Sequence, residues 1–286
     1  MSMPNSPSRF VLLSSLAAAL LCACATAPAP LASGPRTDVP EAIPGFLAGY
    51  LDPAAVPSSL ELLPPPPAPG TAALAHDEEV HRNVQALRGT PRWEQAAVDA
   101  DLHFPGAASA FDCALGTAVT AEGTPRLYQV LQRLMADVGH YGTRSAKNHY
   151  LRPRPFMAHG ETTCTPDNEA GLRKSGSYPS GHTAIGWASA LVLAEASPDQ
   201  AEAVLARGRS FGESRLVCNV HWQSDILQGR FVAASVVARL HANPQFTEDM
   251  AIARRELDTA RTQGTPPARD CKAEAEALSV PIPDVL

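Results

Sequence analysis

The chain of 286 residues lacks an excess of basic residues, because 29 Asp and Glu outnumber 23 Lys and Arg and give a formal net charge of -6. Nucleic-acid-binding domains normally carry a basic face, so this class of function is disfavoured. An acidic chain can still bind an anion, but it must do so through a local cluster of Lys and Arg side chains. An anion site therefore has to be sought in particular segments of the sequence.

Metal motifs and strand patterns are also missing. The sequence contains neither an HExxH motif nor a CxxC pair, the spacings that commonly mark zinc sites. No segment shows a convincing alternation of apolar and polar residues, the pattern of a half-buried strand, and no internal repeat is visible. These absences disfavour a zinc enzyme and a β-rich fold.

The apolar run near the N terminus is too short for a membrane span. It extends from Phe10 to Leu21, follows a single basic residue and precedes small residues, which predicts a signal peptide over residues 1–24. Its end resembles a bacterial lipobox, which would make Cys24 a lipidated first residue. The alternative is ordinary cleavage after Ala25. In both cases we expect an exported protein in the periplasm, and lipidation would anchor it to the outer membrane.

Proline is concentrated near the N terminus, where residues 28–70 hold twelve of the 27 prolines. Proline lacks a backbone N–H and fixes φ, so this composition predicts an extended, partly polyproline II spacer over residues 25–62. The alternative is a segment that lies across the surface of the domain. We place the domain at residues 63–250 and a C-terminal helix and tail at 251–286.

The predicted fold class is all-α, a compact helical bundle with irregular loops. Apolar residues recur at helical spacing between Leu127 and Val138, and Thr183 to Ala196 reads as a buried core helix that is too short to cross a bilayer. Further helices are predicted at residues 77–87, 93–102, 200–211, 221–241 and 248–261.

Lys147 and Arg154 form the first of three segments that could carry chemistry. They are seven residues apart, close to two helical turns, so their cations could project from one face. The two prolines that flank Arg154 would end the helix and fix this side chain in an extended turn. The alternative is a solvated basic helix end that interacts with the helix dipole.

Ser180, Gly181 and His182 directly precede the apolar helix. Ser180 is a plausible N-cap, and Gly181 allows the backbone to approach a ligand closely. The N terminus of a helix presents free N–H groups and a partial positive charge, which favour a phosphate group. The alternative is a simple capped helix with His182 in its first turn.

The third segment contains Arg215, His221 and Asp225. His221 and Asp225 are four residues apart, so a helix would bring them together. A carboxylate bonded to one imidazole nitrogen fixes the tautomer and leaves the other nitrogen free to attack. The alternatives are a structural His satisfied by a neighbouring Asp and a pair of metal ligands, although no further ligand stands at a telling spacing.

Together the three segments read Lys-x6-Arg-Pro, Pro-Ser-Gly-His and Ser-Arg-x5-His-x3-Asp. This pattern resembles that of the PAP2 phosphatase superfamily, which includes the vanadium haloperoxidases. The form Gly-Ser-Tyr-Pro-Ser-Gly-His-Thr is similar to that of bacterial class A non-specific acid phosphatases, as is the proline run near Pro64. The resemblance covers about residues 60–250 and implies a compact helical bundle of the PAP2 and haloperoxidase type.

The resemblance implies a role for each matching residue. His221 would attack phosphorus and form a phosphohistidine, and Asp225 would hold its other ring nitrogen. His182 would protonate the leaving oxygen and then activate water. The residues implied to bind the phosphate oxygens are Lys147, Arg154, Ser180, Gly181 and Arg215. No metal ion and no other cofactor are implied.

The implied substrates are small phosphomonoesters, including nucleotides, sugar phosphates and aryl phosphates. Inorganic phosphate and vanadate are expected to inhibit, a homodimer is expected, and nucleic acid is not expected to bind. Membrane attachment would come only through the N-terminal lipid. The alternatives are a vanadium-dependent haloperoxidase and a non-enzymatic phosphate-binding envelope lipoprotein.

Four cysteines remain beyond the predicted signal peptide, and they allow three pairings. An exported chain meets an oxidising compartment, which permits disulfides. We expect Cys164 and Cys218, which lie near the motifs, to form one bridge, and Cys113 and Cys271 to form the other. Those last two cysteines are not part of the family resemblance.

Overall fold

The structure, a computed structural model, describes residues 1–2, 34–43 and 45–282. The chain divides into two units, Met1–Ala32 and Ser33–Leu286. Apart from its first two residues, the predicted signal peptide lies outside the described residues, together with Cys24 and the beginning of the spacer. All the described helices and strands belong to the second unit.

The described part of the chain is mostly helical, which confirms the all-α prediction. Its only strands are β1 (Glu41–Ile43) and β2 (Phe46–Leu47), which form a small antiparallel hairpin. The α-helices are, in chain order, α1 (Ser59–Leu62), α2 (Ala72–Val84), α3 (Pro91–Val98), α4 (Asp112–Leu115), α5 (Pro125–Leu134), α6 (Thr143–Tyr150), α7 (Pro155–His159), α8 (Glu169–Leu172), α9 (Gly181–Ala196), α10 (Ala201–Val217), α11 (Gln223–Leu240), α12 (Pro244–Thr262) and α13 (Cys271–Leu278).

Helix α9 is the central element of the core, and its main packing partners are α10 and α11. Small residues allow this close approach. A Cβ atom added at Gly186 would overlap the ring of Phe211 on α10, and one added at Gly208 would overlap the side chain of Ala190. The prediction of a buried core helix from Thr183 to Ala196 is therefore correct.

A π-helix joins α5 to α6 and makes residues 125–150 one continuous helical segment. The 3.6-residue spacing predicts this helix, but it does not predict the change of pitch at Met135–Gly142. π-helical turns are rare and are frequently found at functional sites. Three of these residues, Met135, Ala136 and Gly139, line the cavity described below.

Much of the predicted spacer packs on the helical domain. Arg36 Nε lies 3.1 Å from Asp249 Oδ1. The hydroxyl of Tyr50 donates to Asp249 at 2.9 Å, and its backbone N–H donates to Asp137 at 2.7 Å. Charged and apolar anchors between the prolines hold the chain against the domain, so the described part of residues 25–62 follows the alternative of a surface segment.

The proline run continues this segment across the domain. The hydroxyl of Tyr178 donates to the carbonyl of Pro64 at 2.6 Å. Tyr178 is almost fully buried and lies in the second of the three sequence motifs. The run is therefore fixed to the loop that leads into α9.

Both predicted disulfides are present, Cys113–Cys271 and Cys164–Cys218. The first ties the start of α13 to α4, and the second ties the end of α10 to the loop after α7. Helix α12 continues across residue 250, because Ile252 and Leu257 are buried in the core. None of the helices within the described residues is both long and apolar enough to span a bilayer.

Candidate active site

The three sequence motifs meet around one cavity of about 300 Å³. Five of the predicted site residues line it: Lys147, Arg154, Gly181, His182 and His221. Both imidazoles therefore border the same space, although they are 39 residues apart in the sequence. A backbone hydrogen bond joins two of the motifs directly, since Ser180 N–H donates to the Asp225 carbonyl at 3.0 Å.

His221 is paired with Asp225, but not in the way that the sequence predicts. Helix α11 begins at Gln223, so His221 precedes the helix and the pair does not share helical turns. Asp225 occupies the third helical position, and its Oδ2 accepts the N–H of Trp222 at 2.9 Å. The same oxygen lies 3.2 Å from His221 Nδ1. A capping carboxylate of this kind is ordinary at a helix start, and here it also orients an imidazole.

The other ring nitrogen of His221 lies 3.0 Å from Nη1 of Arg154. Arginine is only a donor, so Nε2 must be the acceptor and the proton must be on Nδ1, facing Asp225. Burial, followed by the charges of Arg154 and Lys147, lowers the pKa of His221 well below its ordinary value. The ring is therefore neutral, with a lone pair on Nε2 beside a cation.

Three cationic side chains act on this ring: Lys147 and Arg154, which line the cavity, and the buried Arg215. Burial lowers the pKa of Lys147 to about 7, that of Arg154 to about 10 and that of Arg215 to about 9, and repulsion from Arg154 adds to the effect at the other two. Lys147 donates to the carbonyl of Gly176 at 2.9 Å. The shifts reflect the cost of bringing positive charges together away from water, a cost that a bound anion would reduce.

Arg215 is a buried guanidinium with unpaired N–H donors. Its side chain is fully buried, and its Nε and Nη1 atoms have no hydrogen-bond partner among the described residues. Buried N–H groups are almost always paired, and an unpaired guanidinium is costlier than a neutral donor. The donor set fits an oxyanion, because a planar guanidinium can bind two oxygens at once.

Ser180 and His182 lie at the start of α9, as predicted. Ser180 is the N-cap, and its Oγ accepts the N–H of Thr183 at 3.3 Å. The Thr183 hydroxyl also donates to this oxygen, so the Ser180 hydroxyl proton stays available for another acceptor. His182 Nε2 lies 3.1 Å from the carbonyl of Ala100, which requires a proton on that nitrogen.

The charge state of His182 differs from what its predicted role requires. Burial and the nearby charge of Arg215 lower its pKa well below the ordinary value. In the free site this ring is therefore neutral, whereas a proton donor must be charged. A dianion placed among the same cations would reverse the repulsion and raise the pKa.

The lining of the cavity also includes apolar residues that were not found from the sequence. Among them are Phe46, Leu102, Met135 and Ile185. Phe46 belongs to the hairpin inside the predicted spacer, where nothing in the local pattern signals a site residue. Leu102 follows α3, and the carbonyl of Ala100, two residues earlier, accepts the hydrogen bond from His182.

No cluster of three or more His, Cys, Asp or Glu side chains in the described ranges is arranged to hold a metal ion. The polar groups that border the cavity are mainly cations and imidazoles, a set that suits an anion.

Comparison with known proteins agrees with this geometry. Residues 131–248 match the family model described as the PAP2 superfamily. A non-specific acid phosphatase of Providencia stuartii is 45% identical over 208 residues, 73% of this chain and 84% of the relative. A non-specific acid phosphatase of Salmonella typhimurium is 44% identical over 196 residues, 68% of this chain and 78% of the relative.

An acid phosphatase of Zymomonas mobilis is 41% identical over 220 residues, 75% of this chain and 81% of the relative. These similarities extend well beyond the three motifs and include most of the helical domain. The chain belongs to the PAP2 superfamily, in the family of the non-specific acid phosphatases.

Proposed function

We propose that the protein is an acid phosphatase that hydrolyses phosphate monoesters through a phosphohistidine on His221, without a metal ion. The observation that carries the proposal is the state of His221. Its Nε2 is a neutral acceptor beside Arg154, the ring borders the same cavity as Lys147 and Arg154, and the charge of Arg215 also acts on it. This is the arrangement that an in-line attack on a phosphoryl group requires.

In the first step the Nε2 lone pair attacks phosphorus, and the bond from phosphorus to the ester oxygen breaks. The electron pair of that bond goes to the leaving oxygen, which takes a proton from His182. Asp225 accepts the Nδ1–H throughout and stabilises the positive charge that develops on the His221 ring. Lys147, Arg154 and Arg215 neutralise the phosphoryl oxygens in the transition state.

In the second step water attacks the phosphohistidine. His182, now neutral, takes the proton from the water, and the phosphorus–nitrogen bond breaks with its electron pair returning to Nε2. Phosphate leaves, and His182 is protonated for the next turnover. One imidazole thus serves as the acid in one step and the base in the other.

The proposed pH dependence follows from the two imidazoles. His221 must be neutral, and its lowered pKa satisfies this even in acid. His182 must be protonated, and its pKa in the free site is also lowered. The bound phosphoryl dianion raises the pKa of His182, but not far enough to keep the ring protonated at neutral pH. We therefore expect activity at mildly acidic pH and its loss as pH rises through that pKa.

The substrate range is proposed to be broad, with nucleotides, sugar phosphates and aryl phosphates among the substrates and phosphate and vanadate as inhibitors. The charged residues of the cavity suit the phosphoryl group, which all these substrates share, and the rest of the lining is largely apolar. We also propose a homodimer, as implied by the family resemblance.

We further propose export to the periplasm, with Cys24 as the candidate lipid anchor. Two disulfides in one domain support export, since such bonds persist in oxidising compartments. Labelling of expressing cells with a fatty acid would test the anchor. A Cys24→Ala variant that kept the label would overturn it.

The test of the proposed function is a substrate panel assayed with EDTA across pH, on the wild type and His221→Ala. We expect wild-type turnover in EDTA and essentially none in the variant. His241→Ala is the matched control, because His241 is on the surface and pairs with Glu195. Alkaline quenching during turnover should trap one phosphoryl group on His221, detectable by peptide mass spectrometry.

Full activity of His221→Ala would show that His221 is not the nucleophile. Loss of wild-type activity in EDTA would show that the enzyme needs a metal ion. Bromide oxidation with vanadate and peroxide, in a protein without phosphatase activity, would select the haloperoxidase alternative.

A further inference from the structure

Besides its bond to His221, Asp225 has a cationic partner that the proposed mechanism does not use. Nη1 of Arg152 lies 2.7 Å from Asp225 Oδ1, and its Nη2 lies 2.7 Å from Oδ2 of Asp77. Arg152 is nearly buried, and both carboxylates are fully or almost fully buried. One guanidinium thus bridges two buried acids.

Ser224 closes this arrangement into a network. Its backbone N–H donates to Asp77 Oδ1 at 2.8 Å, and its hydroxyl donates to Asp77 Oδ2 at 2.6 Å. Arg152 donates to the same hydroxyl at 2.7 Å. Asp77 lies on α2, outside residues 131–248 that match the family model, so the network joins an early helix to the start of α11.

The two oxygens of Asp225 have different partners. Oδ2 accepts from His221 Nδ1 and from the backbone of Trp222, whereas Oδ1 accepts from Arg152. Arg152 therefore fixes the rotation of the carboxylate about its own bond. Without this contact, Oδ1 would be a buried anionic oxygen short of a donor, and the carboxylate could turn away from the imidazole.

We propose that Arg152, itself held by Asp77, is a positioning residue that fixes the Asp225 carboxylate for its bond to His221. This inference rests on the proposed function, because it gives Arg152 a role only if His221 is the nucleophile. Arg152 is not among the residues that line the cavity. We therefore expect its effect in kcat and in the pH profile, with little change in KM.

Charged and titratable groups face His221 from several sides. Lys147 and Arg154 act from the cavity side, Arg215 acts from the end of α10, and His182 is the other imidazole at the cavity. Asp225 faces Nδ1, and Arg152 lies behind it. The variants below leave the first four groups unchanged, so a shift in the acid limb reports the charge balance at Asp225.

The two ends of the network predict opposite shifts. Arg152→Met removes a positive charge from Asp225, which favours protonated His221 and moves the acid limb of the kcat profile to higher pH. Asp77→Asn removes a negative charge that shares Arg152, which disfavours protonated His221 and moves the acid limb to lower pH. A loss of packing alone would not give shifts of opposite sign.

Geometry and charge are separated by a third variant. Arg152→Lys keeps the charge but cannot reach both carboxylates with a planar fork. We expect it to lower kcat while leaving the acid limb close to that of the wild type. Arg152→Met should lower kcat by about 10- to 100-fold, by analogy with the range found when the outer partner of a metal-ligating side chain is removed.

The matched control is Arg126→Met. Arg126 and Asp249 form an equally buried pair, 2.6 Å apart, between α5 and α12. We expect a lower Tm for this variant with an unshifted acid limb.

The proposal is overturned if Arg152→Met and Asp77→Asn shift the limb in the same direction or leave it unchanged. If Arg152→Met does not fold, Asp77→Asn decides alone, and the absence of its downward shift overturns the proposal. Failure of the proposed function would look different, because His221→Ala would then retain turnover whatever the Arg152 variants do.

Discussion

Nη1 of Arg154 lies 3.0 Å from Nε2 of His221, so an arginine N–H occupies the lone pair that is proposed to attack phosphorus. A phosphoryl group that enters the cavity must draw this guanidinium onto its own oxygens. The charged guanidinium prefers an anionic oxygen to a neutral nitrogen, so substrate binding itself would release the nucleophile. Substrate would also change the protonation of the cavity, which leads to the first prediction.

Binding of inorganic phosphate should be accompanied by proton uptake near pH 7. Burial and Arg154 lower the pKa of Lys147 to about 7, so about half of these side chains are uncharged at that pH. A bound anion raises the pKa and draws a proton from solution. Calorimetric titration in two buffers of different ionisation enthalpy measures this uptake.

Lys147→Met should reduce that uptake, whereas Lys272→Met, a change at an exposed lysine, should leave it as in the wild type. A binding enthalpy that is the same in both buffers would contradict the prediction.

His182→Ala should slow the hydrolysis of alkyl phosphates far more than that of nitrophenyl phosphate. The alkoxide needs a proton in order to leave, whereas nitrophenolate needs little help. A positioned acid contributes about 100- to 10,000-fold, and we expect a loss of this size only for the poor leaving group. The measurement is kcat/KM on both substrate types, and equal losses would remove His182 from the role of acid.

The two disulfides should differ in their effect on activity. Cys164–Cys218 lies beside the site, because the residue after Cys218, Asn219, accepts the N–H of Phe156, and Val220 accepts an N–H of Arg154. Replacing this pair with serine should lower kcat as well as Tm. Replacing Cys113 and Cys271 should lower Tm alone.

The bridges close spans of 54 and 158 residues, which correspond to about 4 and about 5 kcal/mol of stabilisation in the chain-entropy model. Thermal unfolding and steady-state kinetics on the two double variants distinguish them. Unchanged kcat in the Cys164–Cys218 variant, measured well below its Tm, would show that this bridge does not support the site.

Phe46→Ala should weaken the binding of aryl phosphates. Phe46 belongs to the apolar lining of the cavity, where contact with an aromatic leaving group would contribute about 1 kcal/mol, or about fivefold in KM. KM for glycerol phosphate should change little, since its leaving group offers no ring. Phe231→Ala removes an exposed phenylalanine outside the cavity and serves as the control. An equal rise in KM for both substrates would contradict a contact between Phe46 and the aromatic leaving group.

The chemistry-bearing residues could be predicted because each lies in a short motif with a local physical reason. Ser180 caps a helix and Asp225 lies close to His221 in sequence, so their placement needs few long-range contacts. The contacts that join the motifs are different, because they depend on how α9, α10 and α11 pack. The unpaired donors of Arg215 and the contact of His182 with Ala100 could be seen only in the folded chain.

Two features escaped prediction for separate reasons. The hairpin with Phe46 lies in a proline-rich segment. This composition predicts an extended chain, but it does not predict which surface of the domain that chain contacts. Arg152 lies inside the first motif, yet its partner Asp77 is on a helix with a weak pattern and 75 residues away. The spacing of residues in the sequence does not predict a salt bridge between side chains so far apart along the chain.

The π-helix at Met135–Gly142 is continuous with α6 and therefore sets the rotation of α6 about the helix axis. A π-helical turn takes up more residues than a regular one, so the segment acts as an inserted residue in the register between α5 and α6. Each residue in a regular helix corresponds to a rotation of about 100°. Deleting one residue within Met135–Gly142 would let the helix regularise, turn α6 by about that angle and carry Lys147 out of the cavity, with α5 still seated in the core.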